Sequence, residues 1–476
     1  MEEYNPKPLV IEPSPQIVAL GPRIEDKKLV FVIGAGVSMG PPTCLPSGAE
    51  LANSVKTRLL DSPLASVIKV IAEDNLLAMA DVVEEKSPAA FPLFVRAIFE
   101  SADFKMATPN YAHLAIALLM TETNVQALST NWDMCIEQSS PNVYSDIVGC
   151  FDLNTVMNAG DSTILLKLHG CAKNELSLCV SSRQIAKETW WATHQVGAAI
   201  ERSLVVFLGI GSVAEYIKLT LQKILSMTSD LSNVLIVDPV LSDDWNSLMA
   251  GGVKNHLPIK SEEFLDDVLR TLTLSQLSRV NLLAQDMSKE LPRSDIDIEV
   301  AVHETVEFFR KFPAHYIWLW VRRGFFSTGQ NPSILDPIFK QFVLALALIN
   351  CVSPLYDMDV IGNTSFIRCR DFVVELAWAR DPVASRKLCR RKITSLKTDK
   401  RKNLLPQVQH FIILVHGFVG VLPSPIMKES VVDEPYLADI IDGSEALGAK
   451  WVNLAELIQT GERDKICKLL GANVDD

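Results

Sequence analysis

The sequence predicts an α/β protein: a doubly wound parallel sheet, Rossmann-like, with a small helical insertion, followed by a mostly helical C-terminal domain. Three observations predict it. Short aliphatic and β-branched runs alternate with helix-length stretches from Lys28 to about Pro239. Each run is apolar at successive positions, as in a strand covered on both faces. Several runs also end in glycine or polar turns, the usual way out of a parallel strand into a helix.

The elements follow in order. Residues 1–27, with Pro6, Pro8, Pro13, Pro15 and Pro22, predict an extended N-terminal arm. Strands are predicted at Leu29–Ile33, Val125–Ser129, Thr163–Leu168, Leu204–Leu208 and Val234–Val237. Helices are predicted at Ser47–Leu60, Pro109–Thr121, Ser182–Glu201 and Val213–Met227. Leu64–Phe104 is helix-like throughout and forms the insertion. A helix from Ser261 to about Asp286 closes a first domain, 28–287. The polar, proline-bearing stretch Ser288–Glu299 reads as a linker. Residues 300–476 form the second domain, with periodic apolar faces in EVAVHETVEFFRKF and PIFKQFVLALALI.

Bulk properties narrow the function. The 476 residues are 48% hydrophobic and 21% charged, which disfavours extensive disorder. A formal charge of −12 argues against general nucleic-acid binding by the whole surface. The nine cysteines include no CxxC pair, so no metal site is expected, and their scatter reads as reduced thiols. No apolar run approaches the ~20 residues of a spanning helix, and the acidic, proline-rich start does not read as a signal peptide. A cytoplasmic location without membrane contact is the expectation.

The chemistry concentrates at strand ends. The first strand runs into Gly34-Ala35-Gly36-Val37-Ser38, whose glycines suit a backbone approached by phosphate near a helix start. Asn131-Trp132-Asp133 follows the second, His169-Gly170 ends LLKLHG, and Gly209-Ile210-Gly211-Ser212 follows VVFL. LIVDP ends at Asp238-Pro239. Ligands of doubly wound sheets bind at this carboxyl edge, near the point where strand order reverses.

These five motifs, in this order over residues 28–285, resemble the sirtuin (silent information regulator) family, especially its divergent bacterial members. The resemblance implies NAD as ligand and substrate. Gly34, Ala35, Gly36 and Ser38 would hold the pyrophosphate. Gly209, Gly211 and Ser212 would close on the phosphates and adenosine ribose, and Asp238 would accept from that ribose. Thr130 stands where the family's protein deacylases carry Gln, and their four-cysteine zinc module is missing, so no zinc and no acyl-lysine groove are expected. Cleavage of the bond to nicotinamide passes through an oxocarbenium-like state. Asp133 would grip the carboxamide, Asn131 the ribose hydroxyls or a water, and His169 would act as general base. The other histidines outside motifs, His113 among them, read as structural or surface residues.

The implied activity is an NAD glycohydrolase yielding nicotinamide and ADP-ribose, an anti-phage effector kept inactive until triggered. One alternative is a non-catalytic NAD- or ADP-ribose-binding regulatory or scaffold subunit, and a further one is a protein deacylase. The second domain would then sense, oligomerise (as a homo-oligomer) or bind a partner such as an ATPase or nuclease. Two motifs there stand apart. FIILVHGFVG (Phe411–Gly420) resembles a hydrolase oxyanion strand, but no Gly-x-Ser-x-Gly elbow and no histidine follow it, so it reads as a buried element. The basic run containing Arg386–Lys402 reads as a solvated face, with a nucleic-acid or acidic-protein contact as the functional alternative.

Overall fold

The computed structural model describes residues 2–26, 28–71, 75–123, 125–139, 147–160, 162–188, 195, 197, 200–211, 215–249, 251–290, 295–323, 337–361, 364–370, 372–378, 410–416, 449–453, 457–458 and 462–470. The chain divides into two compact units. The first comprises Met1–Pro6, Ser14–Ser140 and Ser145–Val268; the second comprises Lys7–Pro13, Pro141–Tyr144 and Leu269–Asp476.

The first unit is built on a seven-stranded, all-parallel sheet. Its strands are β1 (Leu29–Ile33), β2 (Gln126–Ser129), β3 (Ile147–Cys150), β4 (Thr163–Lys167), β5 (Leu204–Leu208), β6 (Val234–Val237) and β7 (His256–Leu257). Their order is β3-β4-β2-β1-β5-β6-β7. The five strands expected from the sequence are present. The two that were not expected are the edge strands, four and two residues long, too short to show a pattern.

β1 is buried at all five positions, so both faces of the sheet are covered there. On one face Val30, Val32, Val205 and Phe207 share a core with Ile217, Leu221 and Ile224 of the Glu215–Met227 helix. Phe207 meets Trp245 edge-on, with centroids 5.0 Å apart. The expected helix Gly48–Leu60 and, from the expected insertion, helices Ala65–Ile68, Leu76–Lys86 and Phe91–Ser101 share a core with Trp132, Ala172, Leu178 and Val180. The first of these starts with a reciprocal cap between Ser47 and Glu50.

The proline-rich N-terminus differs from an extended arm. It holds short helices at Pro15–Val18 and Gly21–Glu25, each with proline in its first turn, where a missing N–H costs nothing. Ile17 and Ile24 are buried. The expected linker also shortens. The preceding helix spans Ser261–Glu290, and the next begins at Ile298 behind an Asp297 cap.

The second unit contains helices Ile298–Arg310, Ala314–Arg323, Pro337–Val352 and Arg463–Leu470. It also contains a sheet that the reading of a mostly helical region did not anticipate: β8 (Leu355–Ile361), β9 (Thr364–Cys369), β10 (Phe372–Trp378), β11 (His410–His416) and β12 (Ala449–Asn453), in the order β12-β11-β10-β9-β8. β10, β11 and β12 run parallel, and β8 and β9 pair antiparallel. Short apolar runs such as FIILVH cannot be told from buried helix by periodicity alone. The basic run at Arg386–Lys402 and Gly417–Gly420 lie outside the described residues.

In the first sheet the chain leaves β1 toward β2 and leaves β5 toward β6, so strand order reverses between β1 and β5. There the two glycine turns interlock. The N–H of Gly34 donates to Leu208 O (2.9 Å) and that of Gly36 to Gly209 O (2.8 Å). A Cβ on Gly34 or Gly36 would stand 2.7 Å from Gly209 O, and one on Gly209 would stand 2.6 Å from Val37 N. Gly209 also has φ +61°. Gly209→Ala should therefore combine left-handed strain with a backbone collision and cost about 3 kcal/mol. Gly160→Ala, at φ +59° with open space around it, should cost only about 1–2 kcal/mol. Comparison of the two unfolding midpoints in urea checks the difference.

Candidate functional site

The site grows from the carboxyl ends of β1, β2, β5 and β6. After β1 the chain makes a single 3-10 turn, Ala35–Ser38. Gly36 is exposed and Ala35 half-buried, whereas Ser38 is buried. The Ser38 hydroxyl donates to Asp133 Oδ2 (2.9 Å). It also lies 3.1 Å from His113 Nε2 and 3.4 Å from Asn131 Nδ2. The N–H of Asn110 donates to His113 Nδ1 (3.1 Å), so the neutral ring carries its hydrogen on Nε2 and donates it to Ser38. One donor and two acceptor positions of the serine oxygen are thus all in use.

His113 sits there because of its helix start. Asn110 Oδ1 accepts from the N–H of His113 (3.3 Å) while His113 Nδ1 accepts from the N–H of Asn110. This is a reciprocal cap with histidine in the place usually held by Glu or Gln. Asn110 Nδ2 then reaches Val37 O (2.8 Å) and ties the helix Tyr111–Thr123 to the glycine turn. The sequence reading left His113 among the structural or surface histidines. The Asn-Tyr-Ala-His spacing at a helix start is the signal that marks it.

After β2, Thr130 is buried and its hydroxyl donates to Ile33 O (3.1 Å), which fastens the turn to β1. Asn131 is half-buried and its Nδ2 also donates to Gly34 O (3.0 Å). Its Oδ1 has no partner among the described residues. Trp132 turns inward against Phe104 and donates from Nε1 to His169 O (2.9 Å). Asp133 is buried and accepts the N–H of Cys135 on Oδ1 (3.0 Å). Burial by itself would raise its carboxyl. His113, Lys167, the Cys135 amide and the Ser38 hydroxyl together bring it below the ordinary range. Burial pushes His113 down to about 4, so above that pH the lasting cation beside Asp133 is Lys167.

On the other side of the crevice, Gly211 takes φ +58° and its N–H donates to Asp238 Oδ2 (3.0 Å). Asp238 is half-buried, and its Oδ1 accepts the N–H of Val240 (3.1 Å). The carboxylate therefore shapes the β5 turn from β6. Ser212 lies outside the described residues.

His169 has a different setting. It is fully buried, and its Nε2 pairs with Thr220 Oγ1 (2.8 Å) in the helix that follows the β5 turn. Burial pushes the ring down to about 4, so it is neutral at pH 7. The structure thus brings Gly34, Gly36, Ser38, Thr130, Asn131, Asp133 and Gly209 into one bonded cluster and joins Gly211 to Asp238. It engages the His169 ring with Thr220 and the His169 carbonyl with Trp132. The N–H groups of Gly34 and Gly36, expected to face a pyrophosphate, are committed to the neighbouring turn. Solvent reaches the edge at Ala35, Gly36, Asn131, Gly211 and Asp238.

His113, Asp133 and Cys135 offer donor atoms within 4.8 Å of one another. Hydrogen bonds already satisfy the histidine and the carboxylate, the Cys135 thiol faces Ala107 O (3.7 Å), and burial pushes that thiol well above its ordinary range.

In comparisons with known proteins, the chain matches no protein-family model and no curated protein.

Both buried imidazoles must gain a proton on acidification, and each titrates lower folded than unfolded. Their contribution is complete above the ordinary value of 6.5 and is lost as pH falls toward 4. The melting temperature should drop between about pH 7 and about pH 4.5. H113Q/H169Q should flatten that drop in part, because His315 of the second unit, lowered to about 3, responds in the same direction.

Proposed function

We propose that the crevice between the β1 and β5 turns binds NAD, and that the protein hydrolyses it to nicotinamide and ADP-ribose. The supporting observation is the half-buried Asn131 amide. Its Nδ2 is pinned to Gly34 O and the Ser38 hydroxyl, and its Oδ1 is left to accept from a ribose hydroxyl or a water. It lies on the edge where strand order reverses, the usual ligand crevice of such sheets. The likeness of the five ordered motifs to sirtuins adds the identity of the ligand.

On this reading the half-buried Ala35 and the exposed Gly36 face the pyrophosphate, and Asp238 accepts from the adenosine ribose. Ser38 and His113 hold Asp133 ionised and oriented beneath the nicotinamide ribose, where a fixed negative charge favours an oxocarbenium-like state. His169 is assigned the base, a role its ring can take only on leaving the buried place against Thr220, where burial lowers its basicity. The hydroxyl of Thr220 holds its ring in a buried position, which fits an effector that stays off until triggered. The second unit is the sensing, oligomerising or partner-binding part of the same proposal.

The buried His169 favours one second reading: a domain that binds NAD or ADP-ribose without turning it over. Nicotinamide release from NAD separates the two. On the hydrolase reading, N131A and H169A each lower release by about 10²–10⁴-fold while the protein stays folded, and acyl-lysine peptide makes no difference. Binding of NAD or ADP-ribose by calorimetry with no release, alone or with co-purifying proteins, sinks the hydrolase reading and leaves the regulatory one.

A further inference from the structure

We propose that Lys167, paired with Glu137 beneath the Asn131–Asp133 turn, is a positioning residue that sets the place of that turn on the sheet edge. Lys167 ends the otherwise apolar β4, and only 1% of its side chain is exposed. Its ammonium lies 3.2 Å from Glu137 Oε1 and donates to the main-chain carbonyl of Asp133. Glu137 follows in the short helix Cys135–Gln138, so the pair spans the turn from below.

The sheet makes room for the pair. Gly149 on the neighbouring β3 has no side chain, and a Cβ there would collide with Glu137 Oε1 and stand 2.9 Å from Lys167 Cδ. Burial by itself lowers the Lys167 ammonium, but Glu137, Cys171 and Asp133 outweigh it and hold the group above its ordinary value, as a cation. Stability is a weak reason for such a pair, since well-packed apolar residues often replace a buried ion pair without loss. What an apolar residue cannot supply is the hydrogen bond to Asp133 O.

The other ties of the turn attach to different residues. Trp132 reaches His169 O, Ala172 N donates to Trp132 O (2.8 Å), and Met134 N donates to Phe104 O (3.1 Å). Among the described residues Lys167 is the one that binds the Asp133 carbonyl, while the N–H of the same peptide, on Met134, goes to Phe104 O. Losing it leaves the Asp133 carbonyl without its tie to the sheet, so the turn rests on the Met134 N–H and on the bonds of the carboxylate to Ser38 and the Cys135 N–H.

The role of this turn in ligand binding rests on the proposed NAD reading; its positioning does not. The test uses the full-length K167M/E137M variant, an apolar pair of similar bulk. We expect a melting temperature equal to or above that of the wild type. Backbone hydrogen exchange across residues 130–136 should rise by about tenfold or more, and NAD or ADP-ribose binding should weaken by about tenfold. E137Q, which keeps the ammonium and its bond to Asp133 O, should stay within about threefold of wild-type exchange. If K167M/E137M does not fold, K167Q/E137Q is read the same way, because the shorter amide falls short of the carbonyl. Unchanged exchange at 130–136 in a folded variant overturns the proposal. A wild type that binds neither nucleotide overturns the NAD reading instead, and the exchange measurement still decides the role of Lys167.

Discussion

The candidate site depends on a backbone-to-backbone contact. The turns after β1 and β5 sit so close that Gly36 N–H reaches Gly209 O at 2.8 Å and no Cβ fits between them. Two turns that leave in opposite directions are thereby locked at the point where strand order reverses. The glycines serve this lock first. Their lack of a side chain is required by the neighbouring turn, whatever the crevice holds, and only the outer rim at Ala35 and Gly36 remains open to a ligand.

Around the lock, one buried hydroxyl organises the charges. Ser38 takes a hydrogen from His113, gives its own to Asp133 and stands within reach of Asn131. The partners come from two segments, the Tyr111–Thr123 helix and the turn after β2, so a shift of either would leave a buried polar atom unsatisfied, at a cost of roughly 1–3 kcal/mol. This gives the network its directional character. Asn131 Nδ2 meets both Gly34 O and the Ser38 hydroxyl. Lys167 supplies a buried ammonium that, together with His113, the Cys135 N–H and the Ser38 hydroxyl, outweighs burial and keeps the Asp133 carboxyl below its ordinary range.

The second unit follows different rules. Its sheet mixes a parallel β10-β11-β12 set with the antiparallel β8-β9 pair. Trp320 anchors its indole on Val374 O (3.2 Å), and Asn350 caps the step from helix to β8 by accepting the N–H of Leu355 (2.8 Å).

How much was legible depended on the range over which each feature is encoded. Strand–helix alternation, the apolar β1, β5 and β6, and the turn glycines are written in windows of a few residues, and the sequence by itself determined the α/β class and the five inner strands. The edge strands and the β8–β12 sheet escaped because short apolar runs read alike as strand and buried helix. Gly34, Asn131 and Asp133 could be picked out by their place at strand ends, but the sequence could not say which atoms would be left to a ligand. Only the tertiary structure decided that the N–H groups of Gly34 and Gly36 go to the β5 turn, that His169 is buried against Thr220, and that His113 and Lys167 flank Asp133. Those outcomes depend on strand order and on residues as far apart in the chain as Gly34 and Leu208, and no local pattern carries that information.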